Sequence, residues 1–333
     1  MVYNRHPTTM KKTLLLAFAL MLSAVMFAQQ QLATLNHNNN ITYYYGLNAL
    51  ISAHTDAVNG DVITLSSGVF NATDITKAVT IRGAGAWADT TGSNTMIRNN
   101  FNINIPEDSE YHLTMEGIYA YNIITCQQVY NPQFIKCNFQ SIGSSLRKPF
   151  FVNCILVNWT SGASGAQFVN SVVMNTDNYT TNDVYVNCVV RQNPENATSR
   201  MFRNCVLYYD YAGASTPSNN SSTSFNCLFV QMSAADGTTT GELFAPLENN
   251  SLWNIRGMEN AFKTFNGSTA GKNFELLESV ASTCIGTDGT QIGIYGGPMP
   301  FNPRVTNSLV KRIQVASRSN ADEKLPVNIE LGE

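Results

Sequence analysis

The sequence predicts an all-β protein built as a single parallel β-helix, a solenoid of short strands wound into one coil. Three observations carry this. An aromatic residue, a variable residue, Asn or Lys, and then Cys or Ser recur as Phe134-Ile-Lys-Cys137, Phe151-Val-Asn-Cys154, Phe168-Val-Asn-Ser171, Tyr185-Val-Asn-Cys188 and Phe202-Arg-Asn-Cys205, at a constant spacing of 17 residues. A unit of that length is too short for a helical repeat, which needs about 33 residues, but it holds two or three short strands and their bends. Charged residues make up 13% of the 333 residues, against roughly 25% in ordinary soluble domains. Asn, Ser and Thr supply polarity instead, as a chain with many solvated turns requires.

Each position in the repeat has a physical reading. Asn tolerates the left-handed backbone and its amide can bond its own main chain, so Asn153, Asn170, Asn187, Asn204 and Asn226 mark one bend on successive rungs. Stacked at about 4.8 Å, these side chains are expected to bond to one another as a ladder. Cys137, Cys154, Ser171, Cys188, Cys205 and Cys227 fall on one interior position, where a small buried filler suits either residue type. Leu156, Val173, Val190, Leu207 and Phe229, two residues later, face the same way. The aromatic residues form a third stack before the bend. Phe225-Asn-Cys227 follows Cys205 after 22 residues, implying a five-residue insertion in the Ser- and Asn-rich stretch 212–224. Backwards, Gly117, Asn100 and Gly83 lie 17 residues apart and extend the phase.

Neighbouring rungs place Cβ atoms about 4.8 Å apart, beyond the ~3.8 Å of a disulfide. The cysteines are therefore expected to be free thiols. Cys126 and Cys284 stand outside the ladder.

The ends complete the coil. Residues 1–28 read as a secretory signal peptide, with Lys11 and Lys12 before the apolar stretch 13–27 and cleavage after Ala28; Met10, opening MKKTLLL, reads as the natural start. Residues 29–44 read as a linker. The β-helix proper is expected over 45–303, with a capping helix over 47–58 that stops at Asn59-Gly60. Residues 304–333 read as a strand pair, Val310–Val315 and Leu325–Leu331, around a polar turn.

The stretches Gly60-Asp-Val-Ile-Thr-Leu-Ser-Ser-Gly68 and Ile75-Thr-Lys-Ala-Val-Thr-Ile-Arg-Gly83 resemble the opening rungs of the pectin-lyase-like superfamily, and the Asn-Cys rungs resemble its ladders. Asp288-Gly-Thr-Gln-Ile-Gly-Ile-Tyr-Gly-Gly297 resembles a closing rung of secreted Bacteroidetes β-helix proteins. The resemblance covers about residues 45–300 and implies a right-handed coil, which the handedness of parallel crossovers also favours. It implies no one activity, since lyases, hydrolases and adhesins share the fold.

For chemistry, the net charge of −3 argues against nucleic acid, and no span of membrane length follows the signal segment. No zinc-ligand spacing is present. Gly83-Ala-Gly85 follows a strand, but no helix opens there, so a dinucleotide site is not expected. Counting from the Cys position, Asp177, Glu195 and Asp210 fall at similar offsets on successive rungs. Trp159, Tyr208, Tyr209 and Arg191 lie nearby, and together they form a candidate face for a glycan or a cation. A carboxylate row beside aromatics would suit a sugar or Ca²⁺, although no calcium-loop motif, and no other cofactor motif, accompanies it. Arg147, Lys148, Arg200 and Arg203 would flank an acidic glycan. No acid/base constellation emerges. The expected role is an exported non-catalytic scaffold of the periplasm or outer surface, binding glycans or host surfaces; the alternative, from the fold resemblance alone, is a polysaccharide lyase or glycoside hydrolase. Oligomeric state is open.

Overall fold

The computed structural model describes residues 31–87, 94–106, 110–127, 129–143, 145–159, 165–174, 182–191, 200–209, 223–231, 253–264, 274–302, 309–315 and 327–332. The chain is a parallel β-solenoid of about seven turns. Two long sheets line the coil, one of eleven strands and one of ten. We call them the aromatic and the aliphatic sheet, after the side chains each sends inward. Residues 1–28, read from the sequence as a signal peptide, lie outside the described residues. Among those described, no helix is long and apolar enough to cross a membrane.

The rung register follows the repeat. In the aromatic sheet Phe134 pairs with Phe151, Phe151 with Phe168, Phe168 with Tyr185 and Tyr185 with Phe202. Their rings stack inside the coil with centroids 4.9, 4.8, 4.7 and 4.9 Å apart, the separation of the strands themselves. Across the bend, Leu156, Val173, Val190, Leu207 and Phe229 line the facing wall, in register and buried.

The bend is as the sequence requires. Asn153, Asn170, Asn187, Asn204 and Asn226 all have φ between 46° and 55°, the left-handed region that Asn enters most readily among residues with a Cβ. Lys136 takes the same conformation one rung earlier. Six cysteines, Cys284 among them, are free and buried.

Their role goes beyond filling space. The Cys137 Sγ sits 3.3 Å from the Ile135 carbonyl, and the Cys137 N–H points to the Cys154 Sγ at 3.4 Å. Ser171 makes the same pair of contacts: its hydroxyl donates to the Val169 carbonyl at 2.9 Å and accepts the Cys154 N–H at 3.0 Å. Ser replaces Cys there because both can donate to the bend and accept from the rung before.

Several parts of the sequence reading are corrected. Residues 32–45 are not a linker. Leu32–His37 and Asn40–Tyr45 form an antiparallel hairpin, and the first of these strands also pairs with Val62–Leu65, extending the aromatic sheet. Alternating Leu, Thr and Tyr residues there make strand.

The capping helix α1 covers only Ala49–Asp56, burying Leu50, Ala53 and His54 against the first rungs while Leu47 and Val58 remain exposed. It ends because Ala57 is extended and the turn that follows is clamped by Asp61, whose carboxylate accepts the Val58 N–H at 2.8 Å.

Asn100 is not a bend of the ladder. Arg82 pairs directly with Glu116, so Gly83 and Gly117 occupy adjacent rungs, and Asn100 lies within the long strand Thr95–Asn104 of the aliphatic sheet.

The winding, finally, does not run to residue 303. Among the described residues the last rung strand is Trp253–Arg256, and residues 257–264 and 274–302 double back along the outside of the coil. At the C-terminus, Leu309–Val315 and Val327–Gly332 pair antiparallel.

The returning segment explains the fate of the Asn ladder. The side chains hold this strap rather than one another. Asn226 Nδ2 donates to the Ile285 carbonyl at 3.4 Å, and Asn204 Oδ1 accepts the Thr287 N–H at 2.9 Å. Asn170 Nδ2 donates to the carbonyls of Ile294 at 2.9 Å and Gly296 at 2.7 Å. Asn153 Oδ1 accepts the Asn302 N–H at 2.6 Å. Gly296 and Gly297 press on the Asn187 amide, and a Cβ at Gly296 would overlap the Gln291 carbonyl. The stretch Asp288–Gly297 is therefore a strap lying across several rungs, not a closing rung.

A second core lies beneath it. Val172, Val189, Val206 and Leu228, with Met174, Tyr208 and Val230, project outward from the aliphatic sheet. They are buried against Met258, Phe262, Phe274, Leu276, Val280, Ile292 and Ile294. The short helix α2, Glu278–Thr283, supplies Val280.

Candidate functional site

The acidic members of the expected face, Asp177, Glu195 and Asp210, lie outside the described residues. Trp159 and Tyr209 end the strands Ile155–Trp159 and Val206–Tyr209; their side chains lie outside the described set. Arg191 is half-buried at the end of Val189–Arg191 and pairs with Tyr208.

Tyr208 is a correction. It is fully buried beneath the strap, and its hydroxyl donates to Met174 Sδ at 3.2 Å. The strap takes its ring out of solvent, so it cannot offer a platform to a ligand. Arg200 is likewise buried, at 2% exposure. It occupies the same rung position as Asp183, which accepts the Ala166 N–H at 3.0 Å and lies 3.5 Å from the Tyr185 hydroxyl. Burial, then the Asp183 charge, raise the Tyr185 phenol well above its usual value, and Arg200 offsets part of that. These groups belong to the packing of the coil. Arg203 and Lys148 are exposed, and the Arg147 guanidinium lies over the Tyr130 ring at 5.8 Å.

Three of the ladder thiols are ill suited to nucleophilic work. Burial pushes Cys154, Cys205 and Cys227 well above the ordinary thiol range, which keeps them protonated. Among the described residues, no three His, Cys, Asp or Glu side chains gather where a metal ion could be held.

A different arrangement stands on the open part of the aliphatic sheet. There the strands Thr95–Asn104, Tyr119–Gln127, Asn138–Ile142 and Ile155–Trp159 run side by side. Their inward residues, Ile97, Ala120, Phe139 and Leu156, are buried. On the other side Asn100, Asn122, Ser141 and Asn158 fall into one row across the four strands. Asn122 Nδ2 donates to Asn100 Oδ1 at 3.0 Å, and Asn158 Nδ2 to the Gln140 carbonyl at 3.2 Å. Tyr121, 54% exposed, stands next to Asn122, and half-buried Tyr119 projects from the same side. Arg98, at one end, donates through Nε to Asn71 Oδ1 at 2.7 Å. The face is thus a fixed row of amides and a hydroxyl beside tyrosine rings.

Sequence reasoning missed this row because only Ser141 and Asn158 keep the 17-residue phase, while Asn122 and Asn100 stand 19 and then 22 residues further back. An extra residue at Asn99, in the left-handed conformation at φ 71°, shifts the register between the first two strands. The Asn-rich run Arg98-Asn-Asn-Phe-Asn-Ile-Asn104 was the available signal. Comparison with protein-family models, with curated proteins and with solved structures finds no match.

Proposed function

We propose that the chain is an exported, non-catalytic scaffold of the periplasm or cell surface whose outer rows bind glycans or host surfaces. The observation that supports this is the register of the rungs. Because strand stacks on strand without slippage over most of the coil, each outward position becomes a row repeated at strand spacing, a surface that an extended polymer can follow. The interior is filled by stacked rings and buried thiols, which supports a structural part for the residues inside the coil. Export is supported by the apolar segment 13–27 after Lys11 and Lys12.

The test is mass spectrometry of products after incubating the purified protein with a panel of acidic and neutral polysaccharides. No released oligosaccharide is expected. Products lighter by one water would mark a lyase and hydrated products a glycoside hydrolase, and either would end the non-catalytic reading.

A further inference from the structure

We infer that the row Asn100, Asn122, Ser141 and Asn158, with Tyr121 beside it, is a binding face for an extended, uncharged β-1,4-linked glycan. This rests on the scaffold reading above and names the face and the ligand class. Three features point to it.

The first is chemistry. Side-chain amides both donate and accept, as sugar hydroxyls do. The apolar CH face of a pyranose packs on an aromatic ring such as Tyr121, which is 54% exposed. The second is spacing. The row crosses four strands in register, at about 4.8 Å per strand. That is close to the advance of one sugar in an extended β-1,4-linked chain, so successive sugars meet equivalent groups. The third is charge. The four strands carry no Asp, Glu or Lys, and a single Arg, Arg98, whose Nε is turned to Asn71. An acidic polymer would bring a charge to each rung and find no row of cations to meet it, whereas a neutral one matches the face along its length. Further along the sheet the strap buries the outward positions from Val172 onward, which bounds the open surface and sets the length of chain it takes.

Isothermal titration of the purified protein with cellohexaose and, separately, with hexagalacturonate tests the inference. Cellohexaose is expected to bind, and hexagalacturonate to give no heat above dilution. Tyr121→Ala and Asn122→Ala should each raise the Kd for cellohexaose by roughly fivefold or more, and Tyr121→Ala, at an exposed position, should do so with little change in thermal midpoint. Tyr121→Phe keeps the ring and should bind as the parent does. Absence of cellohexaose binding, preference for hexagalacturonate, or binding unaltered by both alanine substitutions would overturn the inference. These failures differ from failure of the scaffold reading, which would show as cleavage of either oligosaccharide.

Discussion

The two sheets of the coil meet the same interior and differ on the outside. The aromatic sheet alternates: in Gln133–Ile135, Gln167–Val169 and Met201–Arg203 the central ring is buried while its neighbours face outward, and Met201 is 40% exposed. Over the later rungs of the aliphatic sheet alternation fails, since Val172, Val173, Val189, Val190, Val206, Leu207 and Tyr208 are all buried. One sheet is half of a core and the other is shared by two cores, with the strap supplying the second. A parallel strand covered on both faces reads as a continuous apolar run. The same backbone can thus carry opposite surfaces, according to whether another segment returns to cover it.

The largest test of this difference is a charge placed on each outer face. Val189→Asp buries a carboxylate beneath the strap and is expected to cost about 3–5 kcal/mol. Met201→Asp, on the open face, should cost no more than about 0.5–1 kcal/mol. Denaturant unfolding of the two variants reads the gap, and equal losses would mean that the strap does not cover the aliphatic sheet.

Asn170→Ala acts on the fastening of the strap. It removes two hydrogen bonds to Ile294 and Gly296 and places a Cβ-bearing residue without an amide at φ 46°. A loss of about 2–3 kcal/mol is expected, with faster amide exchange along the strap than in the aromatic sheet. Asn170→Gly keeps the backbone permissive and isolates the hydrogen-bond part.

A pH titration addresses the N-terminal cap, where the coil begins. Burial, and then the Lys77 charge, lower the His54 imidazole to about 4, and its Nε2 accepts the Thr76 N–H at 3.3 Å. The unfolded chain, titrating near 6.5, binds the proton first. Stability is therefore full above about pH 6.5 and declines as pH falls towards 4, by roughly 1–2 kcal/mol after solvent screening. His54→Gln should flatten that slope, and an unaltered slope would remove His54 as its source.

The smallest expected effect is inside, where the two sheets are alike. Cys154→Ser should cost less than about 1.5 kcal/mol, because Ser171 already fills that position with the same two contacts. Cys154→Ala leaves the buried Cys137 N–H without its acceptor and should cost about 1–3 kcal/mol. Equal melting of the two would show that the column only fills space.

The sequence made the coil legible wherever one residue type served one rung position. The Asn bends, the ring stack and the free thiols all follow from the 17-residue spacing. It failed where segments at different spacings pack together. Nothing in the phase links Asn170 to Gly296, and Gln31 to Tyr45 carries no copy of the motif. The continuous runs Val189-Val190 and Val206-Leu207-Tyr208 were nonetheless a physical sign of a covered face, and they bear directly on the candidate site. They set Tyr208 apart from an exposed aromatic before any contact is known.

The strap also bears on how the chain assembles. A solenoid whose turns touch only their neighbours can form turn by turn from its first rung and come apart the same way. Here the covering of the aliphatic sheet is made last, by residues 257–264 and 274–302, after every strand it rests on. Until that segment arrives, a row of valines lies open along the growing coil, a surface prone to associate with other chains. Once in place it ties Asn226 to Asn153 through Ile285 and Asn302, so that rungs remote from one another must open together. A modular stack becomes a single cooperative body at the moment its last stretch is laid down.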